Sequence, residues 1–128
     1  MKIFDCFMYF DEELILELRL NILKNFVDYF VIIESRYAHN GKKRELKFNI
    51  EKFKDFKKKI IYIIHENEPK EIKKIYDNDD EPTKSSKYIY NAHLRENDQR
   101  NHITNGLKIA NEEDLIMISD VDEIPNLS

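Results

Sequence analysis

Short apolar segments alternate with helix-like segments along the whole chain, and this alternation constrains the fold more than any other feature. The strand-like segments are rich in β-branched and aromatic residues and cover residues 3–10, 28–34, 60–64 and 114–119. Between them, the residue pattern predicts helices over residues 11–25, 49–59 and 88–110. Strands that alternate with helices join into a parallel sheet through βαβ crossovers. The sequence therefore predicts an α/β fold, a Rossmann-type βαβ sandwich with a mostly parallel sheet.

The ends and faces of these elements are predicted from local signals. Asp11 is expected to cap the first helix, because aspartate is favoured at that position. The apolar face of this helix is expected to contain residues that recur at helical spacing, with neighbours that widen it. The first set is Leu14, Leu18, Ile22 and Leu23, and the second is Ile15, Leu16 and Leu20. Residues 36–47 are expected to form a polar loop. Residues 66–86 have no clean periodicity and are expected to be mostly loop, with a short helix near Glu71.

The composition limits what the chain can be. A hydrophobic share of 41% in 128 residues is enough for the core of one domain and too high for an intrinsically disordered chain. A net charge of -4 argues against a protein that neutralises nucleic-acid phosphates over a broad surface. The single Cys6 excludes a disulfide within the chain, and no apolar run approaches the roughly 18 to 20 residues that cross a bilayer. We expect one cytoplasmic domain over residues 1–128, with no nucleic-acid partner and no transmembrane segment.

The end of the fourth predicted strand carries the strongest functional signal, because an apolar strand runs directly into Asp120-Val121-Asp122. Ligands of open parallel sheets bind at the carboxyl ends of the strands. Carboxylate oxygens are the ligands that Mg²⁺ and Mn²⁺ prefer, and such a cation neutralises a diphosphate leaving group. A turn at the end of a strand explains the same two aspartates without a metal. The pattern alone leaves both interpretations open.

The helix before that strand supplies Gln99-Arg100-Asn101, in which Arg100 could reach a phosphate. The planar guanidinium of an arginine suits a phosphate. The alternative is that Arg100 pairs with a nearby carboxylate such as Glu96 or Asp98.

Two candidates for contacts with a nucleobase lie at the ends of the first two predicted strands. Glu34 could accept the N3–H of uracil, or act only as a capping or solvated acid. Tyr9 or Phe10 could stack on the base, although aromatic residues in a strand also belong to cores. Both pairs of alternatives stay open.

Other chemistry has little support in the sequence. The four histidines (His39, His65, His93 and His102) are scattered, with no spacing typical of zinc sites. No Ser–His–Asp arrangement and no glycine-rich phosphate loop is recognisable. Cys6 is expected to be an inert, packed thiol.

Taken together, these segments resemble glycosyltransferase family 17, the group that includes β-1,4-mannosyl-glycoprotein N-acetylglucosaminyltransferase. The matches follow the family's order and cover nearly the whole chain. They include Asp5-Cys6-Phe7-Met8-Tyr9-Phe10, Glu17-Leu18-Arg19-Leu20-Asn21, residues 27–34, His39 with Gly41, Gln99-Arg100-Asn101 and residues 118–125. The resemblance implies a GT-A fold and a nucleotide-sugar donor.

Carried over by position, the resemblance assigns Asp120 and Asp122 to the metal, the diphosphate and the ribose, and places Arg100 and Asn101 near the donor. It also implies an inverting transfer, in which a base deprotonates the acceptor hydroxyl. Members of the family continue well past the motif, whereas this sequence ends at Ser128. We therefore expect an incomplete GT-A domain, the donor-binding half, with the acceptor half and the base beyond Ser128.

The leading functional prediction is the donor-binding region of a glycosyltransferase that depends on Mn²⁺ or Mg²⁺. It would transfer a sugar, with N-acetylglucosamine preferred, from a UDP-sugar to a glycan hydroxyl. A bacterial or viral enzyme of the cytoplasm, or one attached peripherally to the inner membrane, fits this reading. The alternatives are a catalytically inactive module that binds a nucleotide sugar or a partner chain, and a Mg²⁺-dependent nucleotidyltransferase. An exposed sheet edge would allow self-association.

Overall fold

The computed structural model describes residues 1–128 and contains one sheet of four parallel strands. The strands lie in the order β3-β2-β1-β4. Their bounds are Ile3–Tyr9 for β1, Tyr29–Ser35 for β2, Ile60–His65 for β3 and Leu115–Ile118 for β4. Each differs from its predicted segment by at most one residue at either end. The predicted α/β fold with a parallel, Rossmann-like sheet is confirmed.

The two central strands bury both of their faces. On β1, Phe7 and Tyr9 point to one side of the sheet, whereas Phe4, Cys6 and Met8 point to the other. Strand β2 alternates in the same way, so the sheet separates two apolar clusters. Parallel strands that are covered on both faces read as nearly continuous apolar runs, and this is why the strands were recognisable in the sequence.

Helix α1 (Glu13–Leu23) covers one of these faces, but it begins later than predicted. Glu12, and not Asp11, is the N-cap residue, and its side chain makes no capping bond to the helix. Instead, its carboxylate accepts hydrogen bonds from the backbone N–H groups of Phe10 and Asp11, at 3.1 and 3.2 Å. The Glu12 side chain thereby fixes the turn that leads out of β1.

The buried face of α1 is only a part of the predicted apolar face. Leu16, Leu20 and Leu23 are fully buried against the sheet. Leu14, Leu18 and Ile22 are exposed, Leu14 by 77%. Apolar residues occur on every side of this helix, so their spacing could not identify the side that meets the sheet.

Helix α2 (Glu81–Asn101) covers the opposite face and begins seven residues before the predicted start at residue 88. The Asp80 carboxylate accepts a hydrogen bond from the backbone N–H of Thr83 at 2.8 Å, and Pro82 lies in the first turn. Both features are typical of a helix N-terminus. The helix is polar over its first turns, which hid its start from an analysis of apolar spacing.

Two short 3₁₀ helices replace predicted helical segments. Ile50–Phe56 stands in place of the helix predicted over residues 49–59, and His102–Gly106 follows α2 directly. No helix forms near Glu71. Gly106 packs so closely on the sheet that a Cβ atom there would lie 2.5 Å from Cγ1 of Val31. None of the helices combines the length and apolar character needed to cross a membrane.

Candidate functional site

A cavity of about 480 Å³ opens at the carboxyl ends of β1 and β4. Parallel sheets commonly bind ligands at this edge. The cavity has an apolar side and an acidic side, and its lining residues are Met8, Phe10, Glu12, Ile15, His39, Glu96, Asp120, Val121 and Asp122. Both aspartates of the predicted motif therefore line one cavity.

A buried ion pair lies directly behind this motif. Arg19 of α1 and Asp5 of β1 are both fully buried. The Arg19 Nε and Nη2 groups donate to the two Asp5 carboxylate oxygens, at 2.8 and 2.6 Å. This bidentate geometry is the strongest arrangement of a guanidinium and a carboxylate. The sequence contained a signal for the pair, namely one aspartate inside an apolar strand and one arginine inside an apolar helix.

The same guanidinium holds the loop that carries the motif. Its Nη1 group donates to the backbone carbonyl oxygens of Asp120, Val121 and Glu123, at 2.7, 3.2 and 3.1 Å. Its Nη2 group also donates to the Ser119 hydroxyl at 2.6 Å. The remaining N–H groups of the Arg19 guanidinium are thus bound to three backbone carbonyl oxygens and one side-chain hydroxyl of this loop, which fixes the loop to α1 and β1.

The loop itself is a tight turn that leaves the two aspartate side chains accessible. The backbone N–H of Asp120 donates to a Glu123 carboxylate oxygen at 2.9 Å, and the Glu123 N–H donates back to the Asp120 carbonyl at 2.9 Å. Val121 is buried, whereas Asp120 and Asp122 are exposed. Buried and exposed residues alternate here, so the carboxylates of Asp120 and Asp122 remain free to meet a ligand.

Arg100 reaches this site from α2. Its Nη2 atom lies 3.2 Å from a Glu96 carboxylate oxygen and 3.8 Å from Oδ1 of Asp120. Both interpretations of Arg100 are therefore compatible with the geometry, since it pairs with Glu96 and also borders the motif. Asn101, the last residue of α2, is exposed and does not line the cavity.

Glu34 has no acceptor position left for the nucleobase contact expected from the sequence. It is fully buried, and its carboxylate accepts hydrogen bonds from the backbone N–H groups of Lys47 (2.7 Å) and Phe48 (3.1 Å) and from the Tyr62 hydroxyl (2.7 Å). The Arg44 guanidinium lies 2.9 Å from it. Burial and the hydrogen bond to Glu34 raise the pKa of Tyr62. In this structure Glu34 anchors the segment that contains Arg44, Lys47 and Phe48 to the sheet.

Tyr9 likewise has no face toward the cavity. It is 1% exposed and packs edge-on against Phe48, with ring centroids 6.0 Å apart. Burial, with a contribution from the charge of Glu34, raises the pKa of Tyr9 to about 12. Of the two aromatic candidates, only Phe10 lines the cavity.

His39 lines the same cavity and has one ring nitrogen without a hydrogen-bond partner. Its ring packs edge-on against Phe10, with centroids 5.0 Å apart. Its Nε2 atom is buried and has no hydrogen-bond partner. Buried polar atoms of this kind are rare in folded proteins, and a bound ligand is one source of the missing partner.

One group of three ligand-type side chains forms elsewhere, at the carboxyl end of β3. His65, Asp98 and His102 bring their ligand atoms within 4.8 Å of one another and could hold a metal ion. From the sequence, the four histidines were predicted to be scattered, and for His65 and His102 this prediction was wrong. Asp98 and His102 are four residues apart, but His65 lies 33 residues before Asp98, so no local spacing could reveal the cluster.

Comparison with known proteins gives one match. The family model described as glycosyltransferase family 17 matches residues 1–128, which is the whole chain. No curated protein and no solved structure gives a significant match. The family match confirms the resemblance indicated by the sequence motifs.

Proposed function

The chain belongs to glycosyltransferase family 17 and is therefore a glycosyltransferase, and from this premise we propose that the cavity at the ends of β1 and β4 binds its nucleotide-sugar donor. The observation that carries the proposal is that Asp120 and Asp122 line this one cavity. We propose a UDP-sugar as the donor, with UDP-N-acetylglucosamine as the first candidate. The acceptor would be a glycan hydroxyl, and the fold would be of the GT-A type.

The donor set of the cavity suits a hard divalent cation. Asp120 and Asp122 offer carboxylate oxygens, and the acidic residues Glu12 and Glu96 line the same cavity. Mg²⁺ and Mn²⁺ prefer oxygen ligands and leave several positions to water and substrate phosphates. In our proposal Asp120 and Asp122 hold this cation. When bound, it would neutralise the charge that develops on the leaving diphosphate.

Three further residues have proposed roles in donor binding. Arg100, 3.8 Å from Asp120, is placed to contact a phosphate oxygen once the donor is bound. Phe10 offers a ring for stacking on the base. His39 offers its unpaired Nε2 atom as a hydrogen-bonding group. An inverting transfer also needs a base at the acceptor hydroxyl, and we assign no residue of the cavity to that role.

Ligand-dependent stability tests the proposal directly. UDP or UDP-N-acetylglucosamine with Mn²⁺ should raise the melting temperature of the protein, because a ligand that binds only the folded state stabilises it by about 2.7 kcal/mol at 100 times its Kd. Asp122→Ala should abolish most of this shift. Asp77→Ala is the matched control, since Asp77 is also an exposed aspartate but lies far from the cavity lining.

The outcomes separate the competing functions. An equal shift for wild type and Asp122→Ala would refute the assigned role of the motif. Donor binding without transfer to any glycan hydroxyl would favour the non-catalytic binding module. Tighter binding of a nucleoside triphosphate than of UDP would favour a nucleotidyltransferase.

A further inference from the structure

A second cluster of polar side chains lies at the same edge of the sheet, but on the other side of α2. His65 is the last residue of β3, and its Nε2 atom lies 2.6 Å from Oδ2 of Asp98. His102 follows Asp98 by one helical turn, and its ring centroid is 4.6 Å from that of His65. The ligand atoms of these three residues lie within 4.8 Å of one another.

Outer hydrogen bonds orient both imidazoles. Ser35 Oγ lies 2.9 Å from Nδ1 of His65, and the Nδ1 atom of His102 lies 2.7 Å from the Asp98 backbone carbonyl. Because a carbonyl only accepts, His102 donates through Nδ1. Metal-binding histidines almost always donate their second ring nitrogen to such an outer partner. His102 is therefore held as metal-binding histidines are held, and Ser35 offers the same support to His65.

The cluster opens into a cavity of about 450 Å³. Asp98 and His102 line it, and their side chains are 29% and 39% exposed, while His65 is buried behind them. Three of the other lining residues are glutamates. These other residues are Ile64, Glu66, Asn67, Glu68, Pro69, Lys70 and Glu71. Glu66 and Glu68 are paired with Arg36 and Arg95, at 2.6 and 2.8 Å, so the negative charge beside the two imidazoles comes from Asp98 itself.

We propose that His65, Asp98 and His102 form a metal-binding site and that the metal ion is Zn²⁺. Two imidazoles and one carboxylate are a known ligand set for Zn²⁺, with the fourth position left to water or substrate. Imidazole ligands disfavour Mg²⁺, which selects oxygen. This site is thus chemically different from the all-oxygen site proposed at Asp120 and Asp122.

The two sites are also separated in space. Strands β3 and β4 lie three strand spacings apart, roughly 14 Å. Glu96 of α2 lines the donor cavity and Arg100 borders it, whereas Asp98 of α2 and His102, directly after the helix, belong to the cluster. The zinc site is therefore independent of the donor-binding proposal.

A proton shift within the cluster would make room for the metal. The short contact between His65 and Asp98 is satisfied, without metal, by a proton on Nε2 of His65. A metal at Nε2 requires this proton to move to Nδ1, where it would be donated to Ser35 Oγ. A serine hydroxyl both donates and accepts, so Ser35 supports either tautomer.

Calorimetric titration of the full chain with Zn²⁺ tests the site. Wild type should bind a single equivalent, and His102→Ala should weaken binding by roughly tenfold or more, the loss typical even of outer-shell partners. His93→Ala is the matched control, because His93 is an exposed histidine on α2 outside the cluster. Asp122→Ala should bind Zn²⁺ as wild type does, since it alters only the donor cavity.

A second measurement needs no substitution and so does not depend on the folding of a variant. On addition of Zn²⁺ to wild type, the imidazole ¹⁵N resonances of His65 and His102 should shift, while those of His39 and His93 stay in place. The proposal is overturned if wild type binds no stoichiometric Zn²⁺, if His102→Ala binds as tightly as wild type, or if Asp122→Ala is the variant that loses binding. It is equally overturned if the shifts appear at His39 or His93.

Discussion

Removal of the Arg19 guanidinium should destabilise the protein far more than removal of a surface arginine with an equally short ion pair. Arg19 lies 2.6 Å from Asp5, and both side chains are fully buried. In Arg19→Met, the Asp5 carboxylate stays buried without a partner. Breaking a buried pair in this way costs about 3–5 kcal/mol. The loop carbonyls that Arg19 contacts lose their donor as well.

Arg36→Met is the matched control. Arg36 lies 2.6 Å from Glu66, the same distance as in the buried pair, but the two side chains are 45% and 53% exposed. Exposed pairs contribute about 0–1 kcal/mol. The two substitutions therefore remove a guanidinium from ion pairs of equal length, and the pairs differ in how deeply they are buried.

The free energy of unfolding is measured by urea denaturation followed by circular dichroism. A small domain has a free energy of unfolding of only about 5–15 kcal/mol. The Arg19→Met variant should therefore be only marginally stable, and its unfolding should be measured at low temperature. The double variant Asp5→Leu/Arg19→Met should recover part of the loss, because it leaves no buried charge. Losses that agree to within about 0.5 kcal/mol for Arg19→Met and Arg36→Met would refute this reasoning.

Three further predictions concern other parts of the fold. Burial raises the pKa of the Cys6 thiol from 9.0 to about 12, so thiol-labelling reagents should modify Cys6 only when the protein unfolds. The free energy of unfolding should also decline as pH rises between those two values, because only the unfolded chain then releases the thiol proton. Rapid labelling of the native protein would contradict this. Asp80→Ala removes the acceptor for the Thr83 N–H and should lower both the helical circular dichroism signal and the melting temperature, whereas an unchanged melting curve would show that the cap is unimportant. Gly106→Ala places a Cβ atom 2.5 Å from Val31 Cγ1 and should cost about 1–3 kcal/mol in urea denaturation, and a neutral effect would mean that the 3₁₀ helix moves freely away from the sheet.

The strands could be predicted from sequence because their burial is a local property. Segments such as Tyr29–Ser35 are apolar on both faces, and only a covered parallel strand accounts for such a run. The ends of the helices were harder to predict from the sequence. The start of α2 had a recognisable signal in Asp80 and Pro82, but it precedes a polar stretch, where apolar spacing carries no information.

The candidate site was partly predictable for the same kind of reason. Asp120 and Asp122 follow a strand directly, and the topology of a parallel sheet places such residues at the binding edge. Tyr9 and Glu34 also lie at the carboxyl ends of β1 and β2 and are paired in the β1–β2 register. They are covered by the segment that contains Phe48, and this packing between distant parts of the chain has no local signature.

The buried ion pair connects the stability of the fold to the geometry of the candidate site. A buried arginine and aspartate rarely stabilise a protein more than apolar residues of the same size, so the pair at Arg19 is better understood by what it orients. Its guanidinium draws the backbone carbonyls of Asp120 and Val121 inward. With the backbone held from inside and Val121 buried, the side chains of Asp120 and Asp122 are left facing the cavity. A loop that must hold two like charges side by side needs such an internal anchor, because their mutual repulsion would otherwise favour a more open arrangement.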